Sequence, residues 1–234
     1  MSKPKLIVAL DVPSAAQVMP IVDTLPDEVS WFKVGLELFT ASGPSVLDQL
    51  HSREKKVFLD LKLHDIPNTV ARAVASASRH GVAMLTIHAG GGRDMIKAAA
   101  DAAASFGSAA PMIVAVTTLT SLDDDDLVEL GISRSLQDHT ANLGKLAVDA
   151  GIDGLVCSVH EAAAFRQSLG NDVVLVTPGI RTDNSDSSDQ KRIATPEAAA
   201  KAGTDFIVVG RPILQAPDPS LAATQVMRRI TSDS

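Results

Sequence analysis

The sequence has no tyrosine, one tryptophan and only 3% aromatic residues over 234 positions. Platforms for stacking nucleic-acid bases are therefore scarce. Positive charge is also in deficit: 21 Lys and Arg stand against 28 Asp and Glu, a formal net charge of −7. That balance argues against a general binder of nucleic acid or of acidic membranes, and leaves room for a local cationic pocket that takes one phosphate. The only cysteine, Cys157, excludes an intrachain disulfide and fits a reducing, cytoplasmic setting. No uncharged apolar run reaches membrane-spanning length, and the early run Leu6 to Leu10 is stopped by Asp11, too soon for a secretory signal. What is present is a chain 45% hydrophobic and 21% charged, long enough to bury one sizeable core.

Short β-branched runs alternate with helical segments. Strands are expected at 5–11, 31–38, 57–63, 84–88, 111–118, 154–159, 173–176 and 206–209. Helices are expected at 14–25, 43–52, 67–80, from the Gly90–Gly92 run to about Phe106, and at 123–130, 134–150, 160–169, 195–202 and 221–230. Ser14 suits an N-cap, Pro67 a first helical turn and Gly81 a stop. Eight strand–helix units with no linker between them predict an α/β fold of one domain over residues 1–234, a (β/α)8 TIM barrel. An open doubly wound sheet is the competing arrangement. It lacks its dinucleotide fingerprint, because Met95 stands where a glycine should follow Gly90 and Gly92.

A barrel of this kind carries its chemistry at the C-terminal strand ends. Polar residues collect at those places. The third strand reads Val57-Phe58-Leu59-Asp60-Leu61-Lys62-Leu63 and opens into His64-Asp65-Ile66-Pro67-Asn68-Thr69. Asp60 and Lys62 are two apart, so an extended chain points both to one side, with Asp65 just beyond. A half-buried ion pair closing the strand would give the same spacing, and spacing by itself does not choose between the two. Asp11 ends the first strand. Lys33 lies within the second, in phase with Gly35 and Glu37. His88 ends the fourth, and Thr117, Thr118 and Thr120 the fifth.

The loops after strands seven and eight read Pro178-Gly179-Ile180-Arg181 and Val209-Gly210-Arg211-Pro212. Glycine lets a phosphate approach backbone N–H groups, and arginine supplies charge-assisted bonds, so a phosphate site is expected there. The intervening stretch 182–192 has no apolar residue and cannot anchor itself in a core. Beside Arg181 it reads as a lid that orders on ligand, with the Gln190 amide closing on the phosphate. Other features read as bland. Asp123 to Asp126 is a solvated first helical turn, His88 a structural or supporting residue, and Cys157 a buried small hydrophobe within a strand. His64 is out of phase with Asp60 and Lys62 and stays outside the site.

The run Asp60-Leu61-Lys62-Leu63-His64-Asp65-Ile66-Pro67-Asn68-Thr69 resembles the D-x-K-x-x-D-I-x-x-T signature of the orotidine 5'-monophosphate decarboxylase family, of the bacterial type. Ala-Leu-Asp11, Phe-Lys33-Val-Gly, Leu-Thr120-Ser, Pro-Gly-Ile-Arg181 and Val-Gly210-Arg211-Pro extend the resemblance over nearly the whole chain. It implies a homodimeric barrel that decarboxylates orotidylate to uridylate, the last step of de novo pyrimidine synthesis, without metal or organic cofactor. By the same resemblance Lys62 protonates C6. Asp60 lies beside the substrate carboxylate, and Lys33 and Asp65 complete the charged array. Asp65, with Thr69 beside it, serves the neighbouring subunit's site. Asp11 and Lys33 hold the ribose, Thr120 the pyrimidine, and Arg181, Gln190, Gly210 and Arg211 the phosphate.

Two rivals are a metal-dependent sugar-phosphate decarboxylase of the same superfamily and a non-catalytic barrel that binds phosphometabolites. The first resembles this chain in its Asp-x-Lys pair and needs a carboxylate on strand two, where this chain has Lys33. The second has no need of a lysine between two acids.

Overall fold

The computed structural model describes residues 3–181 and 192–231; Gln190 and the rest of the expected lid up to residue 191 lie outside the described residues. In chain order the elements are β1 (Lys5–Ala9), α1 (Val18–Thr24), β2 (Trp31–Gly35), α2 (Leu36–Ser42), α3 (Ser45–His51), β3 (Lys56–Leu63), α4 (Pro67–Arg79), β4 (Met84–His88) and α5 (Gly92–Ala104). There follow β5 (Met112–Val116), α6 (Asp124–Glu129), α7 (Leu136–Asp149), β6 (Gly154–Val156), α8 (Val159–Leu169), β7 (Val174–Thr177), α9 (Pro196–Lys201), β8 (Phe206–Val209), α10 (Arg211–Leu214) and α11 (Pro219–Thr231). All eight strands run parallel in sequence order, and β1 pairs with β8 to close the barrel. This is the (β/α)8 TIM barrel expected from the strand–helix rhythm.

The period of two along each strand divides the apolar side chains into two layers. Val8, Val34, Leu59, Leu85 and Ile207 belong to the cluster shared with the helices. Their neighbours Ile7, Trp31, Phe58, Met84, Val114 and Phe206 form a separate cluster that fills the barrel. Within it the Trp31 and Phe206 rings meet edge-to-face at 5.0 Å and 67°. One period further along the strands from this plug stand Lys33, Asp60 and Thr86. The plug is thus the platform on which polar groups are raised toward the C-terminal mouth.

Several boundaries differ from the sequence reading. β2 ends at Gly35, its last ladder partner being Asp60, and Leu36 already begins α2. Glu37 therefore lies on a helix and is not in strand phase with Lys33. The helix expected over 43–52 is α3; α2 precedes it over residues that include the end of the expected strand, and Gly43 (φ +63°) and Pro44 separate the two. The short α10, with Pro212 in its first turn, was not anticipated. The acidic run does cap a helix: Asp123 and Asp126 exchange side-chain and backbone bonds of 2.8 and 3.1 Å. Among the described residues no helix is long and apolar enough to cross a membrane, and no three His, Cys, Asp or Glu residues converge on a metal-sized position.

Candidate active site

Three adjacent strands build a line of alternating charge. Lys33 Nζ lies 2.8 Å from Asp11 Oδ1 and 3.7 Å from Asp60 Oδ2. Lys62 Nζ donates to both oxygens of Asp60, at 2.8 and 2.9 Å. The order is Asp11, Lys33, Asp60, Lys62. Side-chain exposure is 11% at Lys33 and 13% at Asp60. Ions so withdrawn from water each cost several kcal/mol unless paired, and here each has an opposite charge in reach. Gly35 makes room for the pair: a Cβ there would stand 2.7 Å from Lys33 Nζ and 3.4 Å from Asp11 Oδ1.

Simple alternation suggested that Asp60 and Lys62 share a side. They meet by a less regular route. Between Leu59 and Leu63 the register against β4 slips, Leu59 pairing with Leu85 but Leu63 with Ile87. Lys62 adopts φ +50°, a left-handed conformation costing a non-glycine residue about 1–2 kcal/mol. Such irregularities re-aim a side chain at a strand end. Thr86, fully buried in β4, holds the irregularity. Its hydroxyl accepts from the Lys62 backbone N–H at 2.7 Å and donates to Asp60 Oδ1 at 3.1 Å. Thr86 is not among the site residues expected from the sequence. Its signal was a hydroxyl in the middle of Met84-Leu85-Thr86-Ile87, in phase with the plug.

The opposite wall comes from the end of the chain. Gly179 takes φ +80°, turning the chain after β7. Ile180 and Ala194 then form a bridge, with Arg181 N–H to Ala194 O at 2.9 Å and Ala194 N–H to Gly179 O at 3.1 Å. Arg181, Gly210 and Arg211 line one cavity of about 250 Å³ together with Asp11, Lys33, Asp60, Lys62 and Thr120. Phe58, Val116, Val156 and Val208 supply its apolar floor. The cavity thus joins two arginines and a glycine turn, groups suited to an anion, to a charged line and an apolar floor.

Two expected site residues stand elsewhere. Asp65 is exposed, its carboxylate accepting from the Ile66 N–H at 2.6 Å, and Thr69 is exposed in the first turn of α4. Neither lines the cavity. Of the stretch 182–192 only Arg192 is among the described residues. The Arg192 side chain is largely withdrawn from solvent, is paired with Glu161 at the start of α8, and donates to the carbonyls of Thr118 and Leu119 at 3.2 and 3.1 Å.

His88 and His64 stack at 5.2 Å with an 11° interplanar angle, outside the cavity lining. Burial holds the His88 imidazole below its usual range, helped by the charges of His64, Lys62 and His139. Its Nδ1 accepts from the Gly90 N–H at 3.1 Å. Cys157 lies just past β6, not within a strand. It is buried and borders the cavity, and burial pushes its thiol up, so it remains uncharged.

Comparison with known proteins gives a consistent set of relatives. Residues 4–226 match the family described as orotidine 5'-phosphate decarboxylase / HUMPS. An orotidine 5'-phosphate decarboxylase of Marinomonas sp. (strain MWYL1) is 49% identical over 220 residues, 94% of each chain. One from Shewanella sediminis (strain HAW-EB3) is 45% identical over 231 residues, 99% of each chain. Among solved structures, the orotidine 5'-phosphate decarboxylase of Lactobacillus acidophilus superposes with a TM-score of 0.87 at 38% identity, covering 99% of this chain and 100% of that one.

Proposed function

The chain belongs to the orotidine 5'-phosphate decarboxylase / HUMPS family, and from that membership we propose that it is a carboxy-lyase converting orotidine 5'-phosphate to uridine 5'-phosphate and carbon dioxide in pyrimidine biosynthesis. The observation that carries this reading is the Lys33–Asp60–Lys62 array set across one cavity from Arg181 and Arg211.

The chemistry follows from the charges. The bond from C6 to the carboxylate breaks, carbon dioxide leaves, and the electron pair stays on C6. A vinyl carbanion is very unstable in water, so a fixed cation must meet it. Lys62 is that cation: its ammonium stabilises the developing charge and then transfers one proton to C6. Asp60 holds Lys62 in place and lies beside the substrate carboxylate. Asp11 and Lys33 take the ribose hydroxyls, and Thr120 the pyrimidine. Arg181, Gly210, Arg211 and, from beyond the described residues, Gln190 take the phosphate. Phosphate binding far from C6 then supplies energy for organising the reacting end.

The reaction needs no metal or organic cofactor in this reading. Lys33 and Lys62 occupy the Asp60 carboxylate, where the metal-dependent rival would place its cation. Asp65 and Thr69 serve the site of a second subunit in a homodimer. Their exposure beside Ile66, itself 67% exposed, supports that assignment. A reducing cytoplasm suits the single free thiol.

The test is direct. Chelator-treated protein mixed with orotidylate is expected to shift the ultraviolet absorbance to that of uridylate. Lys62→Ala is expected to bind uridylate and to lose nearly all turnover. Absence of conversion by the untreated and chelated wild type would overturn the function, and loss on chelation only would favour the sugar-phosphate rival.

A further inference from the structure

We infer that Thr86 is a positioning residue for Lys62, acting on its backbone and its ammonium at once. The inference rests on the decarboxylase reading and adds a residue to it. A threonine hydroxyl has one proton and two lone pairs. Here the proton goes to Asp60 Oδ1 at 3.1 Å, an acceptor that cannot donate back when ionised. A lone pair is thereby directed at the Lys62 N–H, 2.7 Å away. Asp60 Oδ1 in turn receives the Lys62 ammonium at 2.8 Å. Three hydrogen bonds close a ring that starts and ends on Lys62.

Each part of the ring has a reason. The register slip between Leu59 and Leu63 takes Lys62 out of step with β4, so its N–H needs an acceptor other than a ladder carbonyl. The φ of +50° needs a contact that over-determines it. Thr86 provides both, from a strand position with 0% exposure and a β-branched side chain that is stiff at χ1. Replacing the hydroxyl with a methyl leaves a part-buried N–H unpaired, removes one donor from Asp60 and releases the strained turn. The ammonium then loses its fixed position relative to C6. The contacts of Arg181 and Arg211 are on the far wall and are untouched, so binding suffers less than the chemical step.

The experiment compares wild type, Thr86→Val and Thr86→Ser. Valine keeps the shape and removes the hydroxyl, and serine keeps the hydroxyl. With a misplacement of the order of 1 Å at the reacting atom, Thr86→Val is expected to lose roughly 100-fold in kcat with KM within about threefold, and Thr86→Ser to stay within about fivefold of wild type. Amide exchange at Lys62 is expected to speed up in Thr86→Val and not in Thr86→Ser. A wild-type kcat in Thr86→Val, a serine variant as impaired as valine, or unchanged Lys62 exchange in Thr86→Val would each overturn the inference. Thr86→Ala gives the same readouts should the valine variant not fold. Lys62 exchange is read without turnover, so it judges Thr86 even where wild type fails to convert orotidylate and the function reading falls.

Discussion

Asp60 is one carboxylate between two ammonium groups, and its worth lies in that position. Removing one partner of a buried pair strands the other charge, at a cost of about 3–5 kcal/mol. The neighbouring His88 has the opposite character: it is a base that folding keeps neutral. Burial is the largest cause, followed by the charges of His64, Lys62 and His139. The sign follows from which state binds the proton more readily. The unfolded chain protonates near the ordinary histidine value of 6.5, and the folded chain only at lower pH. Stability is therefore complete above the unfolded value, declines as pH falls through it toward the folded value, and levels off below. Urea unfolding from about pH 8 to about pH 5 is expected to show this decline, and His88→Gln to flatten part of it. The flattening is partial because burial lowers His139 as well. An unaltered slope in the variant would assign the decline to other groups.

At the scale of elements, Arg192 joins three connections. From the stem that follows β7 it reaches Glu161 at the start of α8 and the carbonyls of Thr118 and Leu119 after β5. Glu161 is already engaged, its other oxygen accepting from the Ser158 N–H at 2.7 Å. Exposure is 13% at each side chain. Arg192→Ala is accordingly expected to destabilise the protein by about 3–5 kcal/mol in chemical denaturation, and the paired change Arg192→Met with Glu161→Leu by less than either single change. A double variant as unstable as the sum of the singles would place the energy in packing and not in the ion pair.

What the sequence disclosed at this scale was periodicity and turn chemistry. β4 and β8 fall at the expected residues, as do Asp11, Lys33, Asp60, Lys62, Arg181 and Arg211 around one cavity. What stayed hidden depends on contacts between elements. Nothing near Lys62 announces a left-handed φ, which exists because Thr86, 24 residues later, supplies an acceptor. Arg192 gives no sign of its anchor in the sequence because the partner, Glu161, is 31 residues earlier on α8. The expected β2 extends past Gly35 because Leu36 and Leu38 continue an apolar alternation that a helix also satisfies.

For the whole molecule, the cavity in one chain contains neither Asp65 nor Thr69, and the proposed homodimer makes each site a joint product of two chains. Mixing Lys62→Ala with Asp65→Ala chains tests it. If subunits exchange at random, about a quarter of the sites are intact and activity recovers toward that fraction. Lack of recovery with heterodimers present would return Asp65 to its own subunit's site.

The pairing of β8 with β1 has a consequence during synthesis. Asp11 is made near the start, while Gly210 and Arg211, which line the same cavity, follow the last strand, Gly210 so close that a Cβ there would stand 3.3 Å from Asp11 Oδ2. Contacts so distant along the chain are slow to form and cannot precede translation of the strand that brings them together. A nascent chain can hold the lysines and carboxylates of β2 and β3 before Arg181, Gly210 and Arg211 have been added to the cavity. The cavity that Asp11, Lys33, Asp60 and Lys62 share with Gly210 and Arg211 is thus complete only when the ring closes.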